Sequence, residues 1–117
     1  MTERQIFTYC EAVNVISRKK LKDFYEAKSE RRQHASAFND WFKIVRKAHW
    51  RNFQDTESTF GQTDTAIGVT GRTATIFDIG GNKYRIVAHV DYLRQTVKIE
   101  AVMDHKEYDK NLWKNLF

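Results

Sequence analysis

Between residues 73 and 103 apolar side chains recur at every second position, a period that commits this stretch to β-strands. Residues 73–79, 83–90 and 96–103 read as three antiparallel strands. Gly80-Gly81-Asn82 supplies a tight turn, through Gly80-Gly81 or Gly81-Asn82, and a longer turn around 92–95 joins the last two strands. Setting Tyr84 opposite Met103, Ile86 opposite Ala101, Ala88 opposite Ile99 and Val90 opposite Val97 makes one face wholly apolar. The other face then carries Lys83 opposite Asp104, Arg85 opposite Val102, Val87 opposite Glu100 and His89 opposite Lys98. The apolar face needs a cover, and the polar, net basic face is left open for a ligand.

The cover comes from the N-terminal half. Residues 12–16 form a β-branched run ending at Ser17, which reads as a strand followed by a helix N-cap. In 18–28 Leu21, Phe24 and Tyr25 recur at helical spacing, with Lys19, Lys20, Lys22 and Lys28 pointing elsewhere. A second helix over 35–48 puts Phe38, Trp41, Phe42, Val45 and Ala48 on one stripe, with Lys43, Arg46 and Lys47 beyond its edges. Trp41 and Trp50 read as core rather than as stacking platforms. Residues 55–71, rich in Thr, Ser, Gly and Asp, read as a loop, and a short helix near 107–113 closes the chain. The order is β-α-α-β-β-β(-α), an α+β fold with an antiparallel sheet and helices packed on one face. At 117 residues, with 41% hydrophobic and 14% aromatic residues and no proline or repeat, the chain has the material for one core. We expect one domain over 12–117 after an N-terminal extension over 1–11.

Eleven Lys or Arg against four Asp or Glu lie between Arg18 and Arg51, and the whole chain carries a net charge of +5. A polyanionic partner is indicated, nucleic acid first, although a solvated helical surface gives the same count. Lys43, Arg46, Lys47, Arg51, Lys83 and Lys98 are the candidate RNA-binding residues. Cys10 is the lone cysteine and reads as an ordinary thiol. Neither a signal peptide nor a membrane-spanning run is evident, so a cytoplasmic protein is expected.

Cleaving RNA without a metal requires activation of a ribose 2′-OH, stabilisation of charge on the phosphate and protonation of the departing 5′ oxygen. The register brings Lys83 and Arg85 beside 104–108, where His105, Lys106 and Tyr108 offer suitable groups. Arg85 presents a fixed charge and a two-pronged donor, and is the first candidate. An imidazole such as His105 exchanges protons near neutral pH, and Tyr108 suits an acid or an orienting group. Each has a structural alternative: Arg85 paired with Asp78 across the hairpin, His105 at a helix N-terminus, Tyr108 packed by its ring. His34 and His49 read as bystanders. The spacing of His89, Asp104, His105 and Asp109 fits no common metal-ligand set, and neither metal nor cofactor is expected.

Val15-Ile16-Ser17, the block from Trp41 to Trp50, Gly81-Asn82-Lys83-Tyr84-Arg85-Ile86-Val87 and His105-Lys106-Glu107-Tyr108-Asp109 together resemble the HigB toxins of the RelE-like messenger RNA interferases. The resemblance runs from about residue 12 to the C-terminus. It implies a toxin of a type II toxin-antitoxin system that cleaves translated mRNA on the ribosome, at the A site of the small subunit. It also implies a HigA-like helix-turn-helix antitoxin as partner. By the same resemblance Arg85 falls where these toxins keep a strand arginine near the scissile phosphate, and His105, Lys106 and Tyr108 fall in their C-terminal catalytic segment. The general base is left open. A non-catalytic RNA- or ribosome-binding module, and an inactive toxin acting with its antitoxin as a co-repressor, are the competing readings.

Overall fold

The period-two segment forms the centre of a five-stranded sheet in the computed structural model, which describes residues 13–117. The expected extension over 1–11, Cys10 and the first residue of the predicted opening strand, Ala12, lie outside the described residues. The strands are β1 (Asn14–Ile16), β2 (Thr63–Ile67), β3 (Thr73–Ile79), β4 (Tyr84–Asp91) and β5 (Thr96–Asp104), in the order β1-β5-β4-β3-β2. β1 runs parallel to β5, with Val15 beside Val97, and the other neighbours are antiparallel. Four helices precede β2: α1 (Lys19–Glu26), α2 (Ser29–Arg32), α3 (Ala35–Lys47) and α4 (Phe53–Phe60). A fifth, α5 (His105–Asp109), and a 3₁₀ turn (Leu112–Leu116) follow β5.

The α+β class and the one-sided helical cover are as expected. Leu21 of α1 and Phe38, Trp41 and Val45 of α3 bury against Phe77, Ile79, Ile86 and Ile99. Burying each such side chain contributes about 1.5–3 kcal/mol, so the apolar stripe, rather than helix propensity, fixes these helices. Trp41 and Trp50 are both core residues. Among the described residues no helix is long and apolar enough to cross a membrane.

Several elements depart from the sequence reading. The helix expected over 18–28 ends at Glu26, because no large apolar residue follows Tyr25 to hold another turn to the sheet, and Lys28 adopts an extended conformation before α2. Ser17 has a left-handed φ of 69°, and its carbonyl, rather than its hydroxyl, receives the Lys20 N–H at 3.1 Å. The expected loop over 55–71 contains α4 and β2. The Asn52 side chain accepts from Asp55 N–H at 3.0 Å and starts α4.

The hairpin turn is the Gly81-Asn82 version, with both residues at positive φ and Lys83 N–H donating to Gly80 O at 3.4 Å. The β4–β5 register agrees with expectation from Ala88↔Ile99 to Val90↔Val97. Beyond a bulge it shifts by one: Val87 faces Ala101 instead of Glu100, Arg85 faces Met103 instead of Val102, and Tyr84 faces Asp104 instead of Met103. The extra residue, Glu100, lets β5 bury Val97 and Ile99 beneath the helices and then Ala101 and Met103 on the other side.

That other side is therefore not wholly open. Met103, Ala74, Ile76 and Val87 form the floor of a second, smaller core capped by Trp113 and Phe117. The closing helix starts earlier than expected, with Asp104 as its N-cap accepting from Glu107 N–H at 2.8 Å. It ends at Asp109, and Asn111, with φ 62°, turns the chain into the 3₁₀ segment that carries Trp113 onto the sheet.

Candidate active site

Cross-strand pairing sets Asp78 of β3 directly opposite Arg85 of β4 on the sheet face away from the helices. Arg85 Nε lies 3.1 Å from Asp78 Oδ1, with side-chain exposures of 15% and 20%. Arg85 Nη1 donates to the carbonyl of Asn82 at 2.8 Å and more distantly to that of Tyr84 at 3.3 Å. The positive φ of Asn82, which the two-residue turn requires, helps to present that carbonyl. Two corners of the guanidinium are thereby fixed, and Nη2 makes no hydrogen bond among the described residues. A planar cation held at two corners presents the third to a phosphate oxygen in a set direction.

The bulge and α5 bring Tyr108 over this group. The Arg85 guanidinium carbon lies 5.3 Å from the centre of the Tyr108 ring. Trp113 stacks on Tyr108 at 5.2 Å with the planes 7° apart, and Trp113 Nε1 donates to Tyr108 O at 3.0 Å. Guanidinium and indole thus brace the tyrosine ring. Burial pushes the Tyr108 phenol up, the charge of Asp64 on β2 adds to this, and Arg85 opposes it. The phenol stays protonated at neutral pH. Burial likewise raises the Asp78 carboxyl above its ordinary value, Arg85 pulls it down, and Asp64 raises it again. The desolvation of the carboxylate outweighs its ion pair.

The remaining predicted residues are spread more widely. His105 begins α5, with its N–H on Lys83 O at 3.1 Å, and its exposed ring has Nδ1 3.9 Å from Asp109 Oδ2. It shares no hydrogen bond with Arg85 or Tyr108. Lys106 and Lys83 are exposed at the same end of the molecule. Lys98, 3.7 Å from Glu100, projects from β5 on the Arg85 side of the sheet, as strand alternation against buried Val97 and Ile99 requires. Lys43, Arg46 and Lys47 are exposed on α3, in the layer behind the sheet. Arg51 is held by Asp55, with Nε 2.9 Å from Oδ2, and this partner keeps the Asp55 carboxyl at about 2.

Asp64 is the neighbour that sequence reasoning missed. It pairs with Ile76 through β2, a strand that period analysis does not reveal. It also lines a cavity of about 400 Å³ with Glu57, Gln62, Thr63, Asp78 and Asn82, so Asp78, the partner of Arg85, stands at the wall of a polar and largely acidic recess.

The HigB toxin family, described as the RelE-like toxic component of a toxin-antitoxin system, matches residues 34–111, a span that includes Arg85, His105 and Tyr108. The "mRNA interferase toxin HigB" of Escherichia coli (strain K12) is 28% identical over 97 residues, covering 83% of this chain and 88% of that protein. The proteins named "mRNA interferase HigB" of Escherichia coli O157:H7 and Shigella flexneri match with the same identity and coverage. With two thirds of its length matched by the family pattern, and the helices, sheet and site described above within or beside that span, the chain belongs to the HigB family of RelE-like toxins of toxin-antitoxin systems.

Proposed function

We propose that this toxin is an endoribonuclease that cuts mRNA engaged on the ribosome, with Arg85 and Tyr108 at the centre of its active site. The observation that carries the reading is the guanidinium of Arg85, fixed at two corners and with no hydrogen bond at the third among the described residues, beneath the ring of Tyr108. Arg85 stabilises charge on the phosphate, and Tyr108 protonates the leaving 5′ oxygen. His105 and Lys106, on the outer side of α5, serve to hold the neighbouring phosphates rather than the reacting one. Lys83 and Lys98 extend the positive rim on the same side of the sheet.

Exposed Lys43, Arg46 and Lys47, on the helical layer, supply the grip on ribosomal or messenger RNA, whereas Arg51 is engaged by Asp55. The names of the three relatives support mRNA as the substrate, and the family description supports an antitoxin partner. A HigA-like helix-turn-helix protein is the proposed antitoxin, and a toxin of translated mRNA works in the cytoplasm. The guanidinium answers the charge on the phosphate and the phenol the departing 5′ oxygen, two demands that a metal would otherwise meet, so the proposed reaction is metal-independent.

Primer extension on a defined message tests the reading in a reconstituted translation system, with wild-type protein or Arg85→Ala, with and without ribosomes. Cuts within translated codons in the wild-type lane, reduced about 10²- to 10³-fold by Arg85→Ala, are expected. Message left intact by the wild-type protein under all conditions would point to a non-catalytic binding module.

A further inference from the structure

We propose that Asp78 is the general base of the reaction, accepting the proton of the ribose 2′-OH on the 5′ side of the scissile phosphate. The assignment rests on the ribonuclease reading above. Asp78 Oδ1 is occupied by Arg85 Nε at 3.1 Å, while its second oxygen has no hydrogen bond among the described residues. That carboxylate borders the recess lined by Glu57, Gln62, Asp64 and Asn82, whose volume of about 400 Å³ has room for a ribose, and Arg85, 3.1 Å from Asp78, is the nearest cation for the adjoining phosphate. A 2′-OH and the adjacent phosphate belong to one nucleotide, so their binding groups must also be neighbours, as Asp78 and Arg85 are.

The step balances without a co-reactant. The 2′-OH proton passes to Asp78, the 2′ oxygen forms a bond to phosphorus, the P–O5′ bond breaks, and the 5′ oxygen takes the proton of Tyr108. The products are a 2′,3′-cyclic phosphate and a 5′-OH end. Water later exchanges the protons of Asp78 and Tyr108.

Arg85 of β4 and Asp64 of β2 act on the Asp78 carboxyl, and the other titratable groups around it are Glu57 of α4 across the recess and Tyr108 of α5, whose phenol Asp78 in turn pushes up. Partial burial favours its proton, which makes a carboxylate here a stronger acceptor than one in water. His105, exposed and turned toward Asp109, has no such placement beside Arg85.

Single-turnover cleavage of ribosome-bound message by wild type, Asp78→Asn and Asp78→Glu tests the assignment, measured from about pH 5 to about 8. The asparagine keeps an oxygen for Arg85 Nε, so KM is expected to stay within a few-fold while the rate falls by about 10²-fold or more. Wild-type cleavage is expected to decline on the acid side, at a pH above the ordinary aspartate value of 3.8, and Asp78→Asn to lose that decline. Asp78→Glu is expected to recover part of the rate together with the acid limb. A folded Asp78→Asn protein that cuts within about threefold of wild type would overturn the assignment while leaving the ribonuclease reading intact. Should Asp78→Asn fail to fold, wild type decides through a message carrying a 2′-deoxy nucleotide at the cut: continued cleavage there overturns the proposal. A wild-type protein that binds ribosomes and cuts nothing would remove the ribonuclease reading and this step with it.

Discussion

Arg85 and Asp78 depend on each other for stability as well as for chemistry. Arg85 carries structural weight of its own, since its side chain is mostly covered and paired. Removing it strands a carboxylate that burial already disfavours, at a cost of about 1–3 kcal/mol. Because the folded protein holds the Asp78 proton more tightly than the unfolded chain, the ionised carboxylate detracts from stability as pH rises through its folded pKa. Arg85→Ala should therefore be less stable than wild type in urea at neutral pH, with the gap narrowing toward acid pH. Arg85→Ala combined with Asp78→Asn should recover part of the loss, and equal midpoints for the single and double variants would refute the coupling. At this scale the sequence was informative in pairs: Asp78 with Arg85 follows from the hairpin, whereas Asp64 does not, because its position depends on an edge strand with little apolar signal.

Elements were legible where burial writes a period into the chain. The stripe of α3 and the alternation of β3, β4 and the first half of β5 follow from it. α4 rests on different information, a cap made by Asn52 with Asp55 three residues on, which a search for capping patterns can find. The bulge at Glu100 escaped because Ala101 and Met103 are apolar and suit either face of the sheet. The C-terminal 3₁₀ turn depends on contacts distant in sequence: Phe117 is fully buried, and Val69, Thr70 and Arg72 hydrogen-bond the terminal segment. A Cβ at Gly68 would collide with Phe117, including its backbone. Phe117→Ala is expected to cost about 3–5 kcal/mol. By loosening Trp113 it should also lower cleavage, as read by thermal melting and primer extension on the same preparation. Wild-type cleavage by a destabilised Phe117→Ala protein would show that Tyr108 needs no brace from Trp113.

Considered whole, the molecule has two charged surfaces separated by the sheet. Lys43 and Lys47 stand on the helical layer, and Arg85 with Lys83 and Lys98 on the other side. If both lysines of α3 touch phosphates, Lys43→Gln and Lys47→Gln should each reduce the slope of log affinity against log salt by about 0.7–0.9 on RNA. An unchanged slope would make them solvated charges only. The sheet and the helical layer both lie between these surfaces, so a partner that covers Arg85 and the recess beside Asp78 need not reach the helices. Should the helix lysines hold RNA, a toxin silenced in that way would still ride on RNA through its back, disarmed in place rather than withdrawn.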